Sequence, residues 1–448
     1  MKNRKTPSGL GRRHVMQIGL GAAAGGALLP AVARTAQAAP APIGTWPAGA
    51  SGDSVFVGVT SPLTGAYSAD GKDHALGYEL AFAEINAGDA NAQAWGLKGK
   101  GVMGKTIKYG IADSELKPNV AVQAQTQFIQ KNKAIMITGC VSSATAVALE
   151  ELAQREHVLN MVGASGANET TGVDCQRYGF RSQPPAYMAC KALAPVVGKH
   201  YGHGKKVAYL VPDYNYGHSV HQAFAEFTKP YGWTEVSKQV VPLSATDYSS
   251  ALLNIANSGA DIFVNIEFAA AAVNSTKQAV QFGLFKKMKM IVPNISSFQA
   301  QETGAEVMQG VFGTMDFWWT LEDKFPLAKN FVTAFQAKNG RPPMWGANVG
   351  YLQTYIWALA VERAGTFYPP AVIKTLEASK SKPFDSTLGS VWYRAEDHQL
   401  VRPVPVVVAK APSAMKNKND YFDIVDLVPG EDCINPPAAL GCKLGSYT

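Results

Sequence analysis

The 448-residue chain has little of what metal sites and common catalytic sites are built from. It holds five cysteines, and no two are spaced Cys-x-x-Cys, which excludes a zinc ribbon and a thioredoxin-like redox pair. It contains no phosphate-cradling G-x-x-x-x-G-K-[ST] loop, no H-E-x-x-H zinc motif and no EF-hand loop. Residues 163–167, Gly-Ala-Ser-Gly-Ala, lack the G-x-S-x-G spacing of a hydrolase nucleophile elbow. Charged residues make up only 17% of the chain, against 47% hydrophobic residues, a balance that fills large cores and excludes general disorder. Acids are missing altogether from residues 1–38, where Lys2, Arg4, Lys5, Arg12, Arg13 and Arg34 carry six of the seven net positive charges. The remainder is close to neutral and has no global electrostatic reason to bind nucleic acid or anionic lipid.

That basic start precedes an apolar Gly/Ala-rich run, Val15 to Val32, and the small-x-small site Ala36-Gln37-Ala38. The three parts together read as a cleaved secretory signal over 1–38, and Arg12-Arg13 before the apolar run marks the twin-arginine type. Residues 39–53 read as a leader before the first strand. No later stretch approaches ~20 consecutive apolar residues, the length that spans a bilayer. An exported chain meets an oxidising compartment. Local spacing therefore suggests disulfides Cys175–Cys190 and Cys433–Cys442, with Cys140 a buried thiol, although four cysteines can pair in three ways.

From residue 54 onward, β-branched apolar runs alternate with segments of helical periodicity. Strands are predicted at 54–62, 106–113, 134–139, 157–163, 206–212, 235–242, 260–267, 288–293 and near 311–316, and 391–410 reads as two more. This alternation predicts an α/β fold with parallel sheets flanked by helices, in two lobes of similar size with a cleft between them. In such sheets ligands bind at the C-terminal strand ends, beside helix N-termini.

The strongest local signal is ITGCVSSATAVALEELAQ (137–154). A strand ends at Gly139, and Ser142 and Ser143 open a helix whose free N–H groups and hydroxyls suit a carboxylate. The next strand end, LNMVGASGANETTG, places the small residues Ala164, Ser165 and Gly166 where backbone can approach a ligand. Glu267, at the end of ADIFVNIE, is a candidate acceptor for an ammonium group. Among the loop aromatics, Tyr67, Tyr216, Phe268, Trp345 and Tyr351 are candidates for the cleft. His218 and His221 share a helical face, but no third ligand stands at fixed spacing, so they read as ordinary polar positions, as do Glu150 and Glu151.

Taken together, VGVTSPLTGAYSADGKDHALGYELAFAEIN (57–86), ITGCVSSATAVALEELAQ, NMVGASGANETTG, VAYLVPDYNYG (207–217) and QAVQFGLFKK (278–287) resemble the periplasmic leucine/isoleucine/valine-type substrate-binding proteins of ABC transporters, over about 54–412. The resemblance implies a periplasmic binding protein type I fold, two Rossmann-like lobes joined by three crossovers near 180–184, 312–316 and 385–402. Lobe 1 would comprise 54–181 and 315–385. Lobe 2 would comprise 182–314 and the return at 386–412, with 413–448 a C-terminal extension. The resemblance also implies a monomeric, non-catalytic periplasmic receptor without a cofactor, which closes around a small solute and passes it to a membrane permease. Ser142 or Ser143 falls where the family binds a carboxylate, Ala164 and Gly166 on the segment that binds amino-acid head groups, and Tyr216 and Phe268 at aromatic cleft positions. Asp70 lies near a further contact position. The family often has Thr where Gly166 stands. The acid that receives an ammonium would fall near Ile295–Ser297, where IVPNISSFQA has none. Two solute classes follow: a branched-chain amino acid or amide, with Glu267 as substitute acceptor, or an aromatic or aliphatic acid without an amine. A ligand-sensing regulator on the same fold is the alternative.

Overall fold

A computed structural model describes residues 52–448; the expected signal segment and nearly all of the leader lie outside the described residues. The first sheet has five parallel strands: β1 (Ser54–Ser61), β2 (Thr106–Asp113), β3 (Ala134–Val141), β4 (Leu159–Ala164) and β5 (Gly179–Arg181), in the order β2-β1-β3-β4-β5. Every residue of β3 is buried, as befits a strand covered by helices on both faces. The second sheet is built on β6 (Lys206–Pro212), β7 (Thr234–Val241), β8 (Ile262–Asn265), β9 (Lys289–Asn294) and β10 (Phe312–Thr314), all parallel. A small antiparallel sheet follows, β11 (Phe384–Ser386), β12 (Gly389–Tyr393) and β13 (Leu400–Val401), and then β14 (Val404–Ala409) and β15 (Phe422–Val428) add two antiparallel strands to the second sheet beside β10.

Period-2 patterning divides the cores. In β6, Ala208 and Leu210 enter one apolar cluster while Val207, Tyr209 and Val211 enter the cluster on the other face. The first lobe has its own core, which also takes in Phe384, Val391, Tyr393 and Leu400 of the small sheet. The chain crosses between lobes after Arg181, after Thr314 and after Val401. Buried Arg402 brackets the last crossing to the second, its guanidinium bonded to Asp316 at 2.7 Å and to the Asp316 carbonyl.

The tail corrects the expected disulfides. Cys175 is bonded to Cys442, 267 residues away, while Cys190 and Cys433 are buried free thiols in the second lobe and Cys140 is a buried free thiol in the first. The local pairings fail because the helix Ala186–Tyr201 turns Cys190 into an apolar core. The tail meanwhile runs from β15, on the second sheet, to the first lobe. There Arg177 donates to the carbonyl of Gly445 (2.8 Å) and Tyr178 to that of Tyr447 (3.1 Å). Sequence proximity was a poor guide to spatial proximity once β15 carried the tail across.

Candidate functional site

The site starts at a kinked strand end. Gly139 has φ +110°, and a Cβ there would strike the carbonyl of Thr60 in β1, so only glycine lets β3 bend here, two residues before it ends at Val141. Ser142 follows in extended conformation and opens the helix Ser143–Glu156 without a capping bond from its side chain. The first-turn N–H groups of such a helix have no intrahelical acceptor, and its dipole places partial positive charge at them. Ser143 is bound otherwise: its Oγ accepts from the Ala167 N–H at 3.1 Å, tying the ends of β3 and β4 together.

The second lobe faces this corner with aromatic rings. Tyr214 precedes the helix Asn215–Thr228, Tyr216 lies in its first turn, and Phe268 precedes the helix Ala269–Gln281. Asn294, at the end of β9, donates to the Tyr216 hydroxyl at 3.3 Å. The first lobe contributes Tyr67 and Trp345. Tyr67 meets the Tyr214 hydroxyl at 3.3 Å and packs edge-on to Phe268 with centroids 5.4 Å apart; Phe268 meets Trp345 at 5.7 Å. The Ala66 carbonyl accepts from the Ala270 N–H at 3.2 Å. Tyr67, Val141, Ala164 and Trp345 thereby join the second lobe's apolar cluster, and the two lobes stand closed on one another.

Between them lies a cavity of ≈ 320 Å³, its opening included, lined by Ser142, Ser143, Ala164, Gly166, Tyr67, Tyr216, Phe268 and Trp345 of the expected set, and by Val141, Gln183, Tyr214 and Asn294 besides. Among the described residues, none that lines it carries a charge. Gly166 has a spatial reason: a Cβ there would stand 2.9 Å from the Tyr216 ring, so the tyrosine fills the space a threonine would use.

Two buried acids stand behind the aromatic wall. Asp70 accepts from the Trp345 indole N–H at 2.7 Å, and burial pushes its carboxyl up to about 7. Glu267 is 1% exposed, its Oε1 has no partner, and burial pushes its carboxyl up to about 8. Neither lines the cavity. Ser165 is also set back, bonded to Thr170 at 2.7 Å.

Tyr351 is a correction. It lies in the first lobe's core and donates to Glu84 at 2.6 Å. It shares the helix Trp345–Ala364 with Trp345, but six residues at ~100° each put the two about 120° apart around the axis. Glu150 also differs from its reading as an ordinary charge: it is buried, both carboxylate oxygens lack partners, and burial holds its carboxyl well above the usual range. His218 bonds Asp213 (3.0 Å) and His221 bonds Glu235 (2.7 Å), each histidine with an acid of its own. Of the lining residues the sequence reading omitted, Asn294 follows the same strand-end rule that singled out Glu267, whereas Gln183 sits in a crossover and carries no such signal.

A cavity at the carboxyl ends of the parallel strands of two sheets, between lobes joined by three crossovers, is the architecture of a periplasmic binding protein. The model of the periplasmic binding protein family matches residues 54–416, and the chain belongs to that family. It is similar to the Leu/Ile/Val-binding protein homolog 8 of Brucella abortus (strain 2308), 27% identical over 341 residues that cover 72% of this chain and 80% of the relative. A branched chain amino acid ABC transporter periplasmic ligand-binding protein from Burkholderia xenovorans LB400 superposes with a TM-score of 0.71 at 26% identity, covering 85% of this chain and 97% of the other. A solute-binding protein of an ABC transporter from Rhodopseudomonas palustris, in complex with benzoate, shares the fold with a TM-score of 0.72 at 21% identity, covering 87% and 100%. The family consists of substrate-binding transport proteins that take up small solutes and work with ABC transporter permeases.

Proposed function

We propose that this protein is an extracytoplasmic receptor that binds a small carboxylate-bearing solute between its lobes and delivers it to an ABC transporter permease. The observation that carries the reading is the helix N-terminus at Ser142, whose hydroxyl is not spent on capping and which opens into an otherwise uncharged, aromatic cavity. A carboxylate there accepts hydrogen bonds from the Ser142 hydroxyl and first-turn N–H groups, and closure removes the competing water. The rings of Tyr216, Phe268 and Trp345 cover the rest of the solute. The basic start with Arg12-Arg13 supports export by the twin-arginine route, and the receptor acts as a monomer.

Of the two solute classes, the cavity favours an aromatic or aliphatic acid without an amine. A carboxylate in the wall is the strongest acceptor for an ammonium group, and the nearest candidate, Glu267, lies behind the wall with its carboxyl held up to about 8, neutral over most of the physiological range. A thermal-shift screen of refolded residues 39–448 against amino acids, amides, aliphatic acids and aromatic acids, benzoate among them, tests this. A solute at ~100 Kd adds ~2.7 kcal/mol, a shift of a few degrees. A response confined to acids lacking the amine supports the reading. A response to branched-chain amino acids that Glu267→Gln abolishes restores the amino-acid class, and silence over the whole panel sinks the carboxylate assignment.

A further inference from the structure

A second cavity, of ≈ 540 Å³ with its opening included, shares no lining residue with the cleft cavity, although Met344 in its wall is the chain neighbour of Trp345 in the cleft wall. Its walls come from both lobes and from the C-terminal segment. Phe298 belongs to a second-lobe helix, Arg341 to the loop before the helix Trp345–Ala364, Trp319 to the stretch after the second crossing, and Tyr421 to the start of β15's approach. The rings are set in advance: the Trp319 indole N–H donates to the Asn419 carbonyl at 3.3 Å, and Trp318 behind it is buried with its N–H on the Phe422 carbonyl at 3.0 Å. Aromatic walls fixed in this way lose little conformational freedom when a flat ring enters.

Two polar groups in the lining have donors to spare. Ser297 is 6% exposed and its Oγ has no partner. The Arg341 guanidinium bonds Asp73 (2.8 Å) and the Pro342 carbonyl (3.0 Å), two contacts for five N–H donors. Asp73 does not depend on it alone, since the Ala347 N–H donates to its other oxygen at 2.7 Å. A guanidinium edge beside aromatic faces is the chemistry that recognises a carboxylate on a planar ring.

We infer that this cavity is a second ligand site, for a planar aromatic carboxylate, with the ring against Trp319, Tyr421 and Phe298 and the carboxylate on Arg341 and Ser297. It is separate from the solute cleft, and its occupant bridges the two lobes. The probe is 2-naphthoate, titrated by calorimetry and by tryptophan fluorescence into the wild-type protein, into Gln301→Trp and into Ser142→Ala. Gln301 is exposed at the cavity's lining, so the indole fills the space without disturbing a core. Binding to the wild type and to Ser142→Ala, weakened at least tenfold in Gln301→Trp, supports the site. Binding that Ser142→Ala removes and Gln301→Trp leaves intact places the probe in the cleft and overturns it, as does no binding at all. 2-Naphthamide separates charge from shape: at least tenfold weaker binding than 2-naphthoate supports the role of Arg341, and equal binding overturns it. A panel solute that still shifts the melting of Gln301→Trp shows the cleft intact, so failure of the second site is distinguishable from failure of the cleft reading.

Discussion

The hydroxyls of Tyr67 and Tyr214 stand 3.3 Å apart, joining residues 147 positions distant and on opposite lobes. The contact ties the two walls of the cleft cavity together, and both residues line it. Replacing either hydroxyl removes one hydrogen bond between the lobes. Such a bond contributes about 0.5–1.5 kcal/mol. Tyr214→Phe is therefore expected to weaken solute binding roughly 3- to 10-fold by calorimetry while leaving the melting temperature of the empty protein nearly unchanged.

Gly166 gives a sharper outcome. A side chain there meets the Tyr216 ring, which lines the cleft together with Gly166. Gly166→Thr is expected to displace Tyr216 and to abolish measurable solute binding while the protein still folds, as shown by a circular dichroism spectrum matching the wild type. Wild-type affinity in this variant would show that Tyr216 is not a fixed wall.

Glu267 predicts a pH dependence with a definite sign. Its carboxyl titrates near 4.5 when unfolded and is held up to about 8 by burial when folded. Between those values the folded protein binds the proton and the unfolded chain does not, so stability falls as pH rises through that window. In Glu267→Gln this contribution disappears. Melting curves from pH 5 to 9 are expected to show the wild type losing up to a few kcal/mol relative to the variant toward high pH. Parallel curves for the two proteins would show that the carboxyl is not protonated in the fold.

The disulfide bridges the first lobe and a tail that leaves from the second sheet. Peptide mapping under non-reducing conditions is expected to recover Cys175 linked to Cys442. Cys140, Cys190 and Cys433 are buried, and burial pushes the Cys140 and Cys433 thiols up to about 12, so alkylation should require denaturation. Cys442→Ser removes closure of a loop of 267 residues' separation, for which the chain-entropy model gives about 5.6 kcal/mol. A peptide linking Cys175 to Cys190 would contradict the tail's path.

Most of the architecture was legible because period-2 and helical patterns are local. β1, β2 and β6 begin where the residue pattern puts them, and the serine-opened helix at 143 and the glycine-rich end of β4 marked the first-lobe half of the site. What stayed hidden depends on distant partners. β15 is a seven-residue strand whose inward residues are read only against β14, and Tyr351 was an aromatic beside a loop until the turn of its helix placed it on Glu84. Glu150 shows the same limit, since its helix surface meets β5 rather than water.

On the proposed reading, a solute carboxylate sits on the helix opened by Ser142. A crystal structure of the protein with the best solute of the panel tests it most directly. A carboxylate oxygen is expected ~2.7–3.1 Å from the Ser142 hydroxyl and from a first-turn N–H, with the rest of the solute against Tyr216, Phe268 and Trp345. A carboxylate turned instead toward Asn294 and the second lobe, or a solute with no acidic group in that corner, would contradict it.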